Sequence, residues 1–588
     1  MKESSPTNLN IDRFNEARTL LKTAYKNEQT NYLENKITHI RNSATNKRSA
    51  EVWKTVNEIS GRKSTSSSKL KAKNQEERVK LWEKHFKDLL GKPPEVIAEL
   101  ITPIINEELN IKKGNFSIEE LTKALQQTKN HKACGLDEIP AEVWKLPDFK
   151  NLLLDFCNQV YNNDPIKRWT DGCILPFPKK GDLTQTKNYR GITLTAISAK
   201  IYNLLLLNRI RPEIDPLLRK NQNGFRTNRS TSGQILTIRR IIEGVKAKNL
   251  PATLLFIDFS KAFDSIHRGK MKDILLAYGI PHETVNGIMM LYKDTRSLVR
   301  SPDGDTSFFD ITAGVLQGDT LAPFIFVICL DYILRKSIDE NLDLGFTLDK
   351  KRSRRHKAIK ITDADYADDL ALLTDYLKDA ETTLHNVEQL AKVIGLYVNA
   401  TKTKYIATNQ DTTNGIKSLN GDKIDQVDDF NYLGSFIAST EQDVNSRLGK
   451  TWATLNKMNK IWKSTLPDNL KRNFFRATVE SVLVYGSISW TLTSTLEKKI
   501  DGAYTRMLRV ALNKSWTDHL TNVELYGKIP RVTSTIREQR LRFAGHCWRN
   551  KNELSSEVIL WEPLHGKRSR GRPNKTYTDQ LRDDAGCS

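Results

Sequence analysis

The chain has 588 residues, 38% of them hydrophobic, and carries 92 Lys and Arg against 70 Asp and Glu, a formal net charge of +22. That length exceeds one compact domain and predicts roughly three or four cooperating units, and the positive surplus favours a polyanionic partner, nucleic acid or an anionic surface. No apolar run approaches the length of a spanning helix, no secretory signal opens the chain, and the six cysteines lack framework spacing, so membrane-spanning and disulfide-scaffold classes are excluded and an intracellular nucleic-acid protein is expected.

Residues 1–110 are polar and helix-prone, with Trp53, Leu81, Trp82 and Phe86 as sparse anchors and a Ser/Lys-rich break at 61–68 that reads as a linker. Ser117 with Glu120 three residues on predicts a capped helix start. From there to about residue 235, helices alternate with loops such as Pro176–Asp182. Strands expected over 253–259 and 358–373 flank a helical middle and give an α+β core. Within that middle, the apolar helix Leu321–Leu334 has Pro323 in its first turn. Residues 440–515 return to helical patterning, with Trp452, Leu455, Met458 and Trp462 at a spacing that reads as packing. Residues 516–588 are basic and end in the run Lys567–Pro573, which is expected to be mobile.

The most informative segment is Tyr366-Ala367-Asp368-Asp369, where two adjacent acids precede the apolar run Leu370–Leu373. Charge beside a buried strand needs a partner, and a divalent cation is the obvious one. Asp258 ends a similar run, Leu254–Ile257. Three carboxylates ending buried strands can hold two Mg²⁺ ions for in-line phosphoryl displacement. A tight turn at Ala367-Asp368 would project the acids into a cleft, and close carboxylates should show raised pKa values without metal. Asp363 and Asp365, in the acid-rich approach, are expected to face solvent.

The segments FIDFSKAFD (256–264), GVLQGDTLAP (314–323) and YADD (366–369), in that order, resemble a reverse transcriptase. PFPKKGD (176–182), NYRGITL (188–194), GFRTNRST (224–231), GLYVNATKTK (395–404) and YLGS (432–435) extend the likeness to the non-LTR, LINE-type retrotransposon enzymes, over roughly residues 115–515. The stretch EPLHGKRSRGRP (562–573) resembles the RTE-like group. The resemblance implies a right-hand polymerase: a helical amino-terminal extension over 1–110, fingers over 111–250, palm over 251–437, thumb over 438–515 and a basic carboxy-terminal region over 516–588. The reverse transcriptase core would cover about 170–437.

It also implies roles. Asp258, Asp368 and Asp369 would be the metal ligands, with two Mg²⁺ ions and Mn²⁺ as an alternative. Phe263 matches the steric gate against a 2′-OH; a core Phe is the plain alternative. Gln317 and Gly318 belong to a loop in which Gly314 and Gly318 would let backbone approach the template base pair. Lys179 and Arg190 match triphosphate-binding positions, with Lys180 competing for the first. Lys402 resembles the lysine that protonates departing pyrophosphate, and Tyr432, Leu433 and Gly434 resemble the primer grip. Phe225 and Arg226 are candidates to line the template path.

The implied partners are an RNA template, a DNA primer, the RNA–DNA heteroduplex and dNTPs, with action in the nucleus during target-primed reverse transcription and no membrane partner. An endonuclease domain is not expected in this chain, and His546, Cys547, His565 and Cys587 lack regular zinc spacing. The basic runs at 350–355 and 567–572 would be import signals, RNA contacts or solvated loops. The competing class is a catalytically silent RNA-binding relic. A viral-type RNA polymerase is disfavoured by Phe263 and Ala367, and a group II intron maturase by the lack of a maturase-type tail.

Overall fold

The computed structural model describes residues 8–45, 58 and 70–586 apart from 97, 100, 180, 317, 352, 354, 356, 465, 552 and 568–573. Trp53, the break at 61–68, Lys180, Gln317, Arg352, Arg354, the run Arg568–Pro573 and Cys587 therefore lie outside the described residues. The chain divides into two compact units, one of Ser66–Gly434 with Lys551–Arg572, the other of Met1–Thr65, Ser435–Asn550 and Pro573–Ser588. No helix among the described residues is long and apolar enough to cross a membrane.

The first unit is mixed α and β. Its six-stranded sheet runs in the order Ile416–Lys417, Lys423–Gln426, Lys404–Thr408, Ala252–Ile257, Asp369–Thr374, Asp363–Tyr366. Ala252–Ile257 is central and buried at every position, as an uninterrupted apolar run predicts, and both its neighbours are antiparallel to it. The helix Ala322–Ser337 is apolar nearly all round and correspondingly buried, with Pro323 in its first turn. A five-stranded sheet orders Tyr189–Leu194, Asp171–Pro178, Arg296–Ser301 and Gly304–Asp305, with Phe309–Asp310 also on Arg296–Ser301.

The helix Gln75–Leu90 belongs to this unit because Trp82 and Phe86, one turn apart, form a core with Ile174, Val299 and Phe309. Further on, Ser117 and Glu120 close the predicted capping box. Glu120 also takes the Arg209 guanidinium at 2.7 Å; burial would raise its carboxyl, but hydrogen bonds from Arg209 and Lys112 outweigh that and hold it at about 2.

In the basic carboxy-terminal region, residues 553–567 are seated on the helix Thr231–Lys248. Arg240 donates to the carbonyls of Val558 and Trp561, the Trp561 indole N–H donates to Leu348 O at 3.3 Å, and its ring meets Phe346 edge-on. A Cβ on Gly244 would sit 2.4 Å from that indole, so only glycine lets the ring lie flat on the helix.

The second unit is helical. Leu455, Met458 and Trp462 are buried with Phe474, Phe475 and Tyr504, and Trp452 packs against them, so the aromatic stripe is core. Residues beyond 516 add the helices Asn522–Tyr526, Val532–Arg549 and Tyr577–Ala585 to this unit. Tyr577–Ala585 is capped by Thr576 and anchored by Arg540 on Asp584 and by Tyr577 Oη donating to Ile488 O at 2.8 Å.

Candidate active site

The strands Asp363–Tyr366 and Asp369–Thr374 pair antiparallel with Tyr366 opposite Asp369, leaving Ala367 and Asp368 as a two-residue loop. Ala367 takes φ 56°, the left-handed conformation that tight hairpins require at a central position. In the neighbouring ladder Leu370 faces Ile257. Asp258, the next residue, thereby emerges beside Asp369 at the same end of the sheet. The three carboxylates that the sequence singled out are brought together by register alone.

Their electrostatics record the crowding. Burial pushes Asp369 up to about 6, with Asp368 and then Asp258 adding to the shift. Asp368 is also raised, by burial first and by Asp258, against its own backbone hydrogen bond and the nearby Arg190. Asp258 donates its N–H to Thr403 Oγ1 at 3.3 Å and accepts at its carbonyl from Asn399 N at 2.8 Å, which ties it to the 399–403 turn. Its Oδ2 makes no hydrogen bond although Lys402 Nζ lies 3.3 Å away.

These groups fit divalent metal: a carboxylate oxygen without a hydrogen bond and two acids whose pKa values stay raised despite the cations nearby. Among the described residues no three acid, His or Cys side chains close into a cage. Mg²⁺ is ordinarily held by one or two carboxylates plus water and substrate phosphate, so an open set suits it.

Phe263 lies in the short turn Ala262–Asp264. Its ring stacks on Phe326 with centroids 4.2 Å apart and meets Phe225 edge-on at 6.2 Å, while its carbonyl accepts from Val315 N at 2.9 Å. It is half-buried. The glycines of the following loop answer to the protein's own backbone. A Cβ on Gly314 would sit 2.7 Å from the Asp264 main chain and one on Gly318 2.5 Å from Thr193 O, and both have positive φ. Those contacts give both glycines a steric reason within the protein itself.

Asp319, in the same loop, is buried and accepts from Asn203 Nδ2 at 2.8 Å. Burial pushes its carboxyl up to about 6 despite hydrogen bonds from its own loop. An acid whose folded pKa is raised favours the folded state only while protonated, and that advantage is lost as pH rises from the unfolded value through the folded one. Asp319→Asn is therefore expected to stabilise the unit at pH 8 by up to on the order of 3 kcal/mol and to be nearly neutral at pH 4. Melting temperatures of the two proteins across that range check it, and equal shifts at both ends would refute it.

Lys179 follows the strand Asp171–Pro178, and its N–H donates to Asn188 O at 2.7 Å. Arg190 pairs with Phe177 in the adjacent strand and is exposed. Burial lowers the Lys179 ammonium, followed by the positive charge of Arg190, with Asp264 opposing and Lys402 and Lys261 adding. Four cations thus share one neighbourhood, in which Asp264 acts on Lys179 and Asp258 pairs with Lys402. His85, from Gln75–Leu90, is lowered by burial and then by Lys261 and Lys179, so it borders the same space. Lys261 and His85 were not anticipated; Lys261 lies in FIDFSKAFD, whereas nothing local marks His85.

Tyr432 is buried rather than presented to the cleft. Its hydroxyl donates to Ala364 O at 2.9 Å, bracing the acidic hairpin from beneath, and its ring lies near Phe256. Leu433 and Gly434 follow with positive φ as a tight turn.

Two expectations are corrected. Asp363 and Asp365 are fully buried, not solvated. Burial would raise Asp363, but Arg219, whose two nitrogens reach its oxygens at 2.7 Å, outweighs that and keeps it ionised. Asp365 is driven well above the carboxylate range by burial and by Asp363 beside it. Arg226 does not offer its guanidinium plane: it is spent on Asp215 and on the carbonyls of Arg219, Gln222 and Asp215. Phe225 remains exposed.

Residues 177–437 match the family model described as reverse transcriptase (RNA-dependent DNA polymerase). The chain is 25% identical over 365 residues to the retrovirus-related Pol polyprotein from type-1 retrotransposable element R2 of Popillia japonica, covering 60% of this chain and 48% of the relative. It is 24% identical over 515 residues to the RNA-directed DNA polymerase from mobile element jockey of Drosophila funebris, covering 81% and 52%. To the probable RNA-directed DNA polymerase from transposon BS of Drosophila melanogaster it is 22% identical over 539 residues, covering 85% and 56%. The chain thus spans about half the length of these three relatives.

Proposed function

We propose that this chain, whose residues 177–437 are a reverse transcriptase domain of the non-LTR retrotransposon kind, is an RNA-directed DNA polymerase that extends a DNA 3′-OH along an RNA template. The observation that carries the reading is the register that sets Asp258 beside Asp369 and the Ala367-Asp368 loop, with Lys179, Arg190 and Lys402 close by. The six-stranded sheet would be the palm, the five-stranded sheet part of the fingers, and the helical unit the thumb. Nuclear action in target-primed reverse transcription follows from the same reading.

In this mechanism the 3′ oxygen forms a bond to the α-phosphorus of the dNTP as the bond to pyrophosphate breaks. Divalent ions, when bound, neutralise the phosphates and lower the pKa of the attacking hydroxyl. Asp258 and Asp368 would hold them, with Asp369 as third ligand. Lys179 and Arg190 bind the triphosphate, Arg190 with the fork that suits phosphate. Lys402, balanced against Asp258 in the absence of substrate, is the proposed proton donor to pyrophosphate. Phe263 would lie under the deoxyribose, and Leu433-Gly434 against the primer end.

Primer extension on an RNA template with dNTPs and Mg²⁺ tests the reading. Salt-sensitive RNA binding without incorporation by the native chain would favour the relic. Phe263→Val is expected to admit ribonucleotides, improving their use relative to dNTPs by roughly 10²-fold. Single-nucleotide incorporation with each substrate checks it, and unchanged sugar selectivity would remove the gate.

A further inference from the structure

We propose that Gln222 is a positioning residue that sets the orientation of Asp368 by pinning, with one side-chain amide, the two consecutive peptide planes of the Ala367-Asp368 loop.

Gln222 is 1% exposed, and it lies on a segment that extends the six-stranded sheet at the edge of Asp363–Tyr366. Asp365 N donates to Asn221 O at 3.1 Å and Asn223 N to Asp365 O at 2.9 Å, so the segment is held in ladder fashion. Gln234, itself fully buried, donates through Nε2 to both Asn221 O at 2.6 Å and Asp365 O at 2.8 Å and locks the two together. From this base the Gln222 side chain reaches the loop. Its Oε1 accepts from Ala367 N at 2.7 Å and from Gly224 N at 2.7 Å, and its Nε2 donates to Ala367 O at 3.2 Å.

Ala367 N belongs to the peptide between Tyr366 and Ala367, and Ala367 O to the peptide between Ala367 and Asp368. Peptides are planar, so fixing one atom on each leaves the chain entering Asp368 little rotation. Ala367 is 4% exposed, and without the amide its N–H and carbonyl would lose these partners in a buried setting. An amide supplies both an acceptor and a donor at these points at any pH, whereas an ionised carboxylate lacks the donor and an aliphatic chain lacks both. Gly224 completes the clamp, since a Cβ there would fall 2.2 Å from Ala367 N. The carboxylate that the proposed reaction needs is therefore aimed by a residue that touches neither substrate nor metal.

The inference rests on the polymerase reading, and the experiment separates the two. Native protein, Gln222→Leu, Gln222→Glu and Asp368→Asn are compared in steady-state extension of a primed RNA template, titrating dNTP and Mg²⁺, with circular dichroism and melting as the fold control. Gln222→Leu is expected to lower kcat on the order of 10²-fold with dNTP KM little changed, and to raise the Mg²⁺ concentration for half-maximal rate roughly 10- to 100-fold. Gln222→Glu keeps the acceptor for both N–H groups and, protonated in this buried setting, can also donate to Ala367 O, so it should lose less kcat than Gln222→Leu.

A folded Gln222→Leu within about twofold of native in kcat and Mg²⁺ requirement, or with its loss confined to KM, overturns the inference. Should that variant not fold, Gln222→Met, which keeps the length of the side chain and removes both acceptor and donor, decides: native kcat and Mg²⁺ dependence would overturn the inference equally. Native protein that extends no better than Asp368→Asn sinks the polymerase reading itself.

Discussion

Asp368→Asn is expected to cut primer extension by at least roughly 10³- to 10⁴-fold while leaving the fold and RNA binding in place. The side chain is isosteric, and burial already disfavours its ionised form without metal, so the amide should be tolerated in the folded chain. The loss belongs to the reaction. In the proposed centre the attacking oxygen, the α-phosphate and the leaving pyrophosphate all carry negative charge as the bond exchange proceeds. Asp258 and Asp368 localise the cations that offset it, and an amide has neither the charge nor the metal affinity to do so. Asp369→Asn should cost less, because Asp369 begins its strand paired with Tyr366 while Asp368 occupies the loop itself. Rates for the three proteins at saturating dNTP check this order. Equal incorporation by native protein and Asp368→Asn would remove the metal-ligand assignment.

What was legible in the sequence was the charge that had no business beside an apolar strand. Leu254–Ile257 and Leu370–Leu373 announce buried strands, and acids at their ends stand out against them; the register then needed only antiparallel pairing to bring Asp258 beside Asp369. The capping box at Ser117 was legible for the same local reason. What stayed hidden depends on partners far along the chain. Asp363 and Asp365 look like solvated acids until Arg219, 144 and 146 residues earlier, is seen beside them. Leu554, Val558 and Trp561 stand in a short stretch that also carries Glu553, Glu557 and Glu562, and only the helix Thr231–Lys248 with Gly244 shows what buries them. Gly314 and Gly318 were recognised as necessary, but sequence cannot say whether a glycine admits a ligand or the protein's own backbone.

Arg219→Met is expected to destabilise the polymerase unit by about 3–5 kcal/mol at neutral pH, because it strips the cation from a buried acidic cluster and leaves the acids. Arg219 reaches Asp363 at 2.7 Å, Asp339 at 2.9 Å and Asp365 at 3.5 Å, and its own N–H donates to Asp331 at 2.8 Å. Asp363 and Asp365 lie two apart, on one face of the strand that leads into the Ala367-Asp368 loop, so the cluster is also the footing of the proposed active site.

The sign with pH follows from Asp363, which Arg219 holds below its ordinary value. A depressed carboxyl contributes stability above its unfolded pKa and loses it as pH falls through the folded one. Native protein should therefore lead the variant most at pH 7 and progressively less below about pH 4, where Asp363 of the variant is neutral. Urea unfolding followed at both pH values measures the gap. Adding Asp363→Asn to Arg219→Met should recover part of the loss at pH 7, since the buried charge then goes with its partner. A double variant as unstable as the single one would mean that Arg219 acts through packing and its hydrogen bonds to Asp339, and that the charge on Asp363 contributes nothing.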